Sequence, residues 1–260
     1  VLRSYDRDGQ RLTLPGLSGD FTPHPHQRSA VARMISEPSV GLFHAVGAGK
    51  TAEMVMGATE LRRLGLVNKP CVVVPNHMLE QFTREWLQLY PAAHVLTAAS
   101  EDLRGDNRRV FIARAATGEW DGILLTQGAF GSIAVSPAGQ RAYLEQQIDI
   151  TRDQLVKARE ARVSSLTIRQ MEKTIQRVEE RTRRLMDHKV DPGLTWEETG
   201  IDYLILDELH MYKNLAIVSN IRDVAKDGSQ RATDLDMKLS LLRAAAGDGG
   251  RVMTGATATP

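Results

Sequence analysis

The sequence predicts an α/β protein built on a mostly parallel, doubly wound sheet. Three short apolar runs, at residues 40–43, 71–74 and 201–206, have the length and composition of buried strands. The first run leads through a glycine-containing loop into a helical pattern over residues 51–64, and the third ends in an Asp-Glu pair. Buried strands that alternate with helices are typical of parallel sheets whose strands are joined by crossover helices.

The bulk composition fits a soluble chain of one or two domains. The chain has 260 residues, 42% apolar content and a formal net charge of +1. This charge neither requires nor excludes nucleic acid, so any basic groove must be local. The single cysteine, Cys71, cannot form an internal disulfide and is expected to pack in a strand. Since no signal peptide or apolar run of about 18 residues is found, we expect a cytoplasmic protein without a membrane partner.

Both ends look cut, and the chain is expected to be one piece of a larger protein. Residues 1–20 are interpreted as an irregular lead-in, because they carry Gly, Pro and charge without periodicity. Residues 21–139 and 191–260 are expected to form one lobe. Residues 140–190 are expected to be a helical insertion in it.

The loop after the first strand has the composition of a phosphate-binding loop. Glycines at 47 and 49 allow a tight turn that points backbone N–H groups and a helix N-terminus at a phosphate. Lys50 is placed to reach the β- and γ-phosphates, and the Thr51 hydroxyl is a magnesium ligand in such loops. His44 stands where the full pattern has its first glycine, and a chance Gly-x-Gly-Lys-Thr turn is the alternative. The predicted nucleotide-binding residues of this loop are Val46, Gly47, Ala48, Gly49, Lys50 and Thr51.

The acidic pair after residues 201–206 has the Walker B arrangement. Asp207 would hold Mg²⁺ through water, as a hard oxygen ligand. Glu208 would orient and deprotonate an attacking water. The order of the two motifs along the chain, glycine loop first and acidic pair later, favours a nucleotide site over two unrelated turns.

Other stretches give weaker signals. The proline-containing loop at residues 21–26 leads into a helix over 27–35, and Gln27 could offer its amide to an adenine edge. A helix start with solvent-facing His and Gln is the alternative. His24 and His26 are not interpreted as metal ligands, because no Cys or acidic partner shares their spacing.

Several local predictions concern the ends of elements. Asn76 is a candidate N-cap for a helix over residues 78–89. A strand is expected at 95–97, a short helix at 110–116, a strand at 122–126, a loop at 132–139 and a helix near 236–246. Residues 251–254 are interpreted as a strand that ends in a small-residue loop over 255–260.

Residues 140–190 contain neither glycine nor proline, and their apolar residues recur at helical spacing. We interpret them as two helices with a break near residues 163–165, packed as an antiparallel hairpin. Arg177, Arg181 and Arg184 would share one helical face. This face is either a solvated surface or a surface that follows nucleic acid.

Taken in order, these motifs resemble the first RecA-like lobe of superfamily 2 helicases and translocases of the Snf2-like kind. The resemblance covers residues 21–260. His44–Thr51 matches motif I, and Snf2-like proteins also lack the first glycine of the loop. Asp207–His210 matches the DExH form of motif II, with Leu209 where alanine is usual, and Lys213-Asn214 follows it as in Snf2-like proteins.

The resemblance implies a fold, roles for further residues, and partners. It implies a RecA-like P-loop NTPase lobe that binds ATP and Mg²⁺, and Gln27 as the adenine contact. Motif III would supply Thr257 and Thr259, which with His210 couple the nucleotide state to the grip on nucleic acid. Contacts to a DNA phosphate backbone, without sequence preference, are expected from Asn76, His77, Thr126 and Gln127.

Within this group, the chain looks most like the helicase–methyltransferase proteins of phages and mobile elements, including the DarB-like antirestriction proteins. That resemblance rests on His-Pro-His-Gln-Arg, Val-Gly-Ala-Gly-Lys-Thr, Val-Val-Pro-Asn-His and Asp-Glu-Leu-His-x-Tyr-Lys-Asn-Leu. It also implies that the arginines needed for hydrolysis lie on a second RecA-like lobe that is absent from this sequence.

The sequence therefore predicts the ATP-binding lobe of a DNA-dependent ATPase. A non-hydrolytic, nucleotide-gated scaffold that binds a protein through residues 140–190 is the alternative, although Glu208 argues against it. A P-loop kinase is a third reading, with no recognisable lid or acceptor pocket.

Overall fold

The computed structural model describes residues 11–160, 168–169, 171–173, 176, 180, 194–215 and 229–258. The chain divides into two compact units. The first comprises residues up to 134 together with 194–210 and 242–260, and the second comprises 135–193 and 211–241.

The first unit contains six strands and five helices among its described residues. These residues also include the 3₁₀ turns Asn76–Met78, Glu101–Leu103 and Glu197–Thr199 and the start of a fourth, Leu209–Tyr212. The helices are α1 (Pro25–Ser36), α2 (Lys50–Arg63), α3 (Leu79–Leu89), α4 (Asn107–Thr117) and α5 (Gln127–Ser132). The strands are β1 (Ser39–Phe43), β2 (Pro70–Val74), β3 (Val95–Ala98), β4 (Gly122–Thr126), β5 (Tyr203–Leu206) and β6 (Met253–Thr257).

The strands form one sheet in the order β1-β6-β5-β2-β4-β3, and each neighbouring pair is parallel. Strands β1 and β2 are not neighbours in the sheet. Strands β6 and β5, which come later in the chain, lie between them. Strands β2, β4 and β5 are buried along their whole length, as expected when helices cover both faces of a parallel sheet. The prediction of an α/β fold with a parallel, doubly wound sheet is confirmed.

Helices α1, α2 and α3 pack on one face of this sheet. Met34 of α1, Met56 of α2 and Trp86 of α3 are fully buried and belong to one cluster with alternate residues of the central strands. The apolar residues of α3 recur at Phe82, Trp86 and Leu89, so that they share the face that meets the sheet. This stripe therefore forms part of the core.

The second unit is helical in its described residues. Its long helix α6 (Pro137–Glu160) is joined to α7 (Gln230–Ala246) by a hydrogen bond from the Tyr143 hydroxyl to Asp236 Oδ2 at 2.8 Å. Leu155 and Ala158 pack on Met171, and Arg159 Nη2 lies 2.8 Å from Glu172 Oε1. The predicted break at 163–165, and Arg177, Arg181 and Arg184, lie outside the described residues.

Three local predictions are wrong. Asn76 does not cap α3, because a 3₁₀ turn (Asn76–Met78) intervenes, and the Asn76 side chain instead accepts a hydrogen bond from Gly128 N at 3.3 Å. The expected loop at 132–139 is wrong at both of its ends, because α5 ends at Ser132 and α6 begins at Pro137, so that the loop comprises residues 133–136. Residues 255–257 continue β6 instead of forming a loop.

The close approach of Trp86 to Gly122 generates a stability prediction. A Cβ at Gly122 would collide with the Trp86 ring, which is fully buried and cannot move aside. We expect Gly122→Ala to lower the free energy of unfolding by about 1–3 kcal/mol, the usual cost of overpacking. Denaturant titration of the two proteins measures the difference.

Gly131→Ala is the matched control, because a Cβ at that helical position would meet nothing within 4 Å. It should leave the stability unchanged or raise it slightly. Equal stabilities of the Gly122→Ala and Gly131→Ala proteins would contradict the packing described.

Candidate functional site

The glycine loop joins the end of β1 to the start of α2. Gly47 and Gly49 have φ angles of +82° and +81°, in the left-handed region that favours glycine. Gly49 is the N-cap of α2, and a Cβ there would strike the side-chain amide of Gln27. The loop is exposed at its tip, where Val46 is 88% exposed. The backbone thus turns sharply into a helix N-terminus that faces solvent, which is the arrangement an anion requires.

Lys50 lies across the loop that precedes it. Its ammonium group donates hydrogen bonds to the carbonyl oxygens of His44, at 3.0 Å, and Ala45, at 3.1 Å. Thr51 follows on the first turn of α2 and is half-buried. Both side chains predicted to meet phosphate and metal therefore stand at the mouth of the loop.

Gln27 supports the loop from α1. It is 3% exposed, and its amide nitrogen lies 3.4 Å from the carbonyl oxygens of both Ala48 and Gly49. Its amide oxygen accepts a hydrogen bond from His24 N at 2.9 Å. This burial excludes the solvent-facing glutamine of the alternative reading. Contact with adenine stays a prediction.

A cluster of imidazoles and one carboxylate surrounds the same loop. Glu53, on the first turn of α2, has a fully buried side chain, and His44 Nδ1 lies 2.9 Å from both of its carboxylate oxygens. His26 Nε2 lies 2.9 Å from Ala48 O and 3.8 Å from Glu53 Oε1. Burial raises the pKa of Glu53 above its ordinary value, and the facing charges of His44, His26 and Lys50 oppose that rise.

The acidic pair emerges from the same edge of the sheet. The last residue of β5 pairs with Gly255 of β6, and the last residue of β1 pairs with Thr257, two residues further along the same strand. The two loops therefore leave the same edge of the sheet, offset by about 7 Å along the strands and separated by two strand spacings of about 4.8 Å each. This is the span that a nucleoside triphosphate and its metal can bridge.

Asp207 and Glu208 have different environments at this edge. Asp207 is 9% exposed, and burial raises its pKa, while a hydrogen bond from Glu208 N at 2.9 Å and the charge of Lys50 oppose the rise. Glu208 is the one described non-glycine residue with a positive φ, at +53°. Such a conformation is strained for a glutamate.

His210 links the acidic pair to β6. Its Nδ1 lies 3.0 Å from Glu208 Oε2 and 3.1 Å from Thr257 Oγ1. Two of the three residues predicted to couple the site are therefore in contact, and the third, Thr259, lies outside the described residues. Leu209 packs on Gly255, where a Cβ would come within 2.5 Å of Leu209 Cδ2. Because residue 255 has no side chain, there is room for Leu209 at a position where Snf2-like proteins usually have alanine.

The residues predicted to contact nucleic acid fall into two groups. Asn76 and His77 are exposed directly after β2. Thr126 is 1% exposed, and its hydroxyl accepts a hydrogen bond from Ala129 N, so that it caps α5. Gln127 is 8% exposed. In this structure Thr126 has a capping role that the sequence did not indicate, and contact with a phosphate backbone stays a prediction for all four residues.

The donor set fits a magnesium ion shared with a substrate. Within the described residues, no group of three or more His, Cys, Asp or Glu side chains could hold a metal ion alone. Mg²⁺ is commonly held by only one or two protein ligands together with substrate phosphates, and the buried carboxylate of Asp207 suits that arrangement. No helix among the described residues is long and apolar enough to cross a membrane.

Sequence reasoning overlooked the roles of Glu53 and of the His44 side chain. The available signal was a glutamate on the first turn of a helix whose neighbouring residues, Ala52, Met54, Val55 and Met56, are all apolar. A carboxylate inside such a run requires a partner, and the histidine that replaces the first loop glycine provides one.

Comparison with known proteins identifies the family. No curated protein matches this chain. Among solved structures, the SWI2/SNF2 ATPase core of Sulfolobus solfataricus in complex with dsDNA is similar, with 11% identity and a TM-score of 0.49 over 96% of this chain. This chain spans 34% of the length of that protein. A family described as a probable helicase domain matches residues 34–257, from α1 to the end of β6. The match covers most of the chain and includes both the glycine loop and the acidic pair. This chain therefore belongs to the probable helicase domain family.

Proposed function

We propose that this chain is the ATP-binding motor lobe of a DNA-dependent ATPase, a helicase or translocase that hydrolyses ATP to ADP and phosphate when a second RecA-like lobe completes the site. The observation that carries the proposal is the shared sheet edge. The loop that ends in Lys50 and the loop that begins with Asp207 leave the sheet two strands apart, and the charge of Lys50 acts on the Asp207 carboxylate. Membership of a helicase family supports it.

The residues divide the work of phosphoryl transfer. Lys50 and the N–H groups of the loop bind the phosphates, with Gly47 and Gly49 allowing the close approach. Thr51 and Asp207 would hold Mg²⁺, which when bound would supply positive charge to offset the negative charge that develops during phosphoryl transfer. Gln27 holds the loop through the carbonyls of Ala48 and Gly49, and we propose that it also contacts the adenine.

Glu208 is the proposed general base for the attacking water. The buried Asp207 carboxylate would serve the metal, and the Glu208 carboxylate, which lies 3.0 Å from His210 Nδ1, would accept the proton. His210 holds Glu208 and contacts Thr257. We propose that this contact, with Thr259, transmits the nucleotide state to the nucleic-acid-binding surface formed by Asn76, His77, Thr126 and Gln127.

At a finer level, we propose that the chain belongs to a bacterial, phage or mobile-element protein of the helicase–methyltransferase kind and acts in the cytoplasm. The motif combination given above supports this assignment. The proposed domain limits are those of the sequence analysis, with residues 140–190 inserted into the lobe.

The first prediction concerns nucleotide binding. Lys50→Ala removes hydrogen bonds from a charged donor to phosphate, each worth about 1.5–3 kcal/mol, so Mg·ATP affinity should fall about tenfold to hundredfold. Isothermal titration with a non-hydrolysable ATP analogue measures the change. Lys69→Ala is the matched control, since Lys69 also donates to two backbone carbonyls, Ala115 O and Ala116 O, but lies at the opposite end of β2. Equal affinities of the two variants would contradict the proposed phosphate contact.

The second prediction concerns hydrolysis. Glu208→Gln in the full-length protein removes the base but keeps the size of the side chain, so turnover should fall by about 10²–10⁴-fold while ATP stays bound. Steady-state phosphate release and equilibrium binding measure the two effects separately. Turnover close to that of the wild type would reject Glu208 as the base.

The third prediction concerns the partners. The full-length protein should hydrolyse ATP faster with DNA, with a stimulation that falls steeply as salt rises, because phosphate contacts release counterions. Assays that compare single-stranded DNA, duplex DNA and RNA identify the nucleic acid. Residues 1–260 alone should bind Mg·ATP but hydrolyse it slowly or not at all, and robust DNA-stimulated turnover by this piece would show that no second lobe is needed.

A further inference from the structure

The mechanism proposed above leaves one buried carboxylate unused. Glu53 is fully buried on the first turn of α2, and it is faced by His44 from the loop after β1, by His26 from α1 and by Lys50 from its own helix. A buried carboxylate is costly unless it is paired and hydrogen-bonded. Its partners therefore indicate what it does.

The contact between His44 and Glu53 closes the phosphate-binding loop on itself. His44 is the first residue after β1, and Glu53 lies three residues beyond the start of α2. All of the loop residues, from Ala45 to Gly49, lie between the two. With His44 Nδ1 at 2.9 Å from both carboxylate oxygens, the end of the strand and the start of the helix are joined by a direct side-chain contact.

Side chains also hold backbone carbonyl groups near both ends of the loop. The His44 carbonyl oxygen accepts a hydrogen bond from Lys50 Nζ at 3.0 Å. The Ala48 carbonyl oxygen lies 2.9 Å from His26 Nε2 and 3.4 Å from the Gln27 amide nitrogen. A glycine in place of His44 could keep the backbone bond but could not reach Glu53.

We propose that the contact between His44 and Glu53 is a clasp that holds the phosphate-binding loop in its nucleotide-binding conformation, so that both side chains position the loop without touching the nucleotide. The identity of the ligand rests on the proposed function, whereas the effect on the loop does not. A loop that is ordered before binding loses little further conformational entropy when the ligand binds. The clasp is therefore expected to increase the affinity for nucleotide. The clasp should therefore change nucleotide affinity and KM much more than kcat.

The experiment uses the full-length protein and has two readouts. Hydrogen exchange of the amides of residues 44–51, without nucleotide, reports on the loop itself. Titration with Mg·ATPγS reports on binding. Glu53→Ala and His44→Ala should each speed exchange in this loop and weaken Mg·ATPγS binding about tenfold, the lower end of the range for losing a hydrogen bond to a charged group.

Three variants separate the clasp from a general loss of packing. Glu60→Ala is the matched control, because Glu60 is equally buried on α2 but is paired with Arg63 in the last turn of the helix, at the end remote from the loop. It should leave loop exchange and nucleotide affinity unchanged. Glu53→Gln keeps an oxygen that can accept from His44 and should restore most of the protection and affinity. The double variant H44A/E53A should lose no more affinity than either single variant, since one contact is removed in all three.

The outcomes are distinct. Faster loop exchange and weaker binding in Glu53→Ala and His44→Ala, with Glu60→Ala unaffected, support the clasp. Unchanged loop exchange in His44→Ala overturns it, even if Glu53→Ala fails to fold. Faster exchange with unchanged affinity, or a Glu53→Gln variant as deficient as Glu53→Ala, also overturns it. If the wild-type protein does not bind Mg·ATPγS, the proposed function fails, while the exchange data still decide whether the clasp exists.

Discussion

The parallel direction of all six described strands places their carboxyl ends at one edge of the sheet. The glycine loop follows β1, and the acidic pair follows β5. Asn76 and His77 come after β2, Thr126 is the last residue of β4, and Gln127 is the residue after it. Reversing one of these strands would move its polar residues to the opposite edge, where they could not contribute to a common site. The chemistry proposed here therefore depends on strand direction before it depends on any individual side chain.

Lys50 is the cation that the two halves of the site share. Burial raises the pKa of Asp207 on one side of Lys50 and the pKa of Glu53 on the other. The charge of Lys50 opposes both rises. Its ammonium also binds two carbonyls of the loop. One flexible side chain thus balances a proposed metal ligand and a structural carboxylate. His44 Nδ1 contacts both carboxylate oxygens of Glu53, so that Lys50 is not the sole partner of this carboxylate.

The sequence was sufficient to predict the buried strands and the order of the motifs, because apolar runs and glycine positions are local signals. It was insufficient for β6, since Gly255, Ala256 and Thr257 have loop-like composition and become a strand only between two hydrogen-bonded neighbours. Contacts across the chain were also out of reach. The packing of Leu209 on Gly255 joins residues whose proximity follows from the tertiary structure. The pairing of His44 with Glu53, by contrast, left a signal in the sequence, a glutamate inside an apolar run.

The position of β6 has a mechanical consequence. This strand forms one hydrogen-bonded ladder with β1 and another with β5, so a pull along its axis is resisted by both ladders together. Tension applied beyond Thr257 would reach the strand that delivers the glycine loop and the strand that delivers the acidic pair at the same time. Force on β6 would therefore displace the glycine loop and the acidic pair together. The spacing between these two parts of the site would be preserved, while both would shift relative to the helices that cover the sheet.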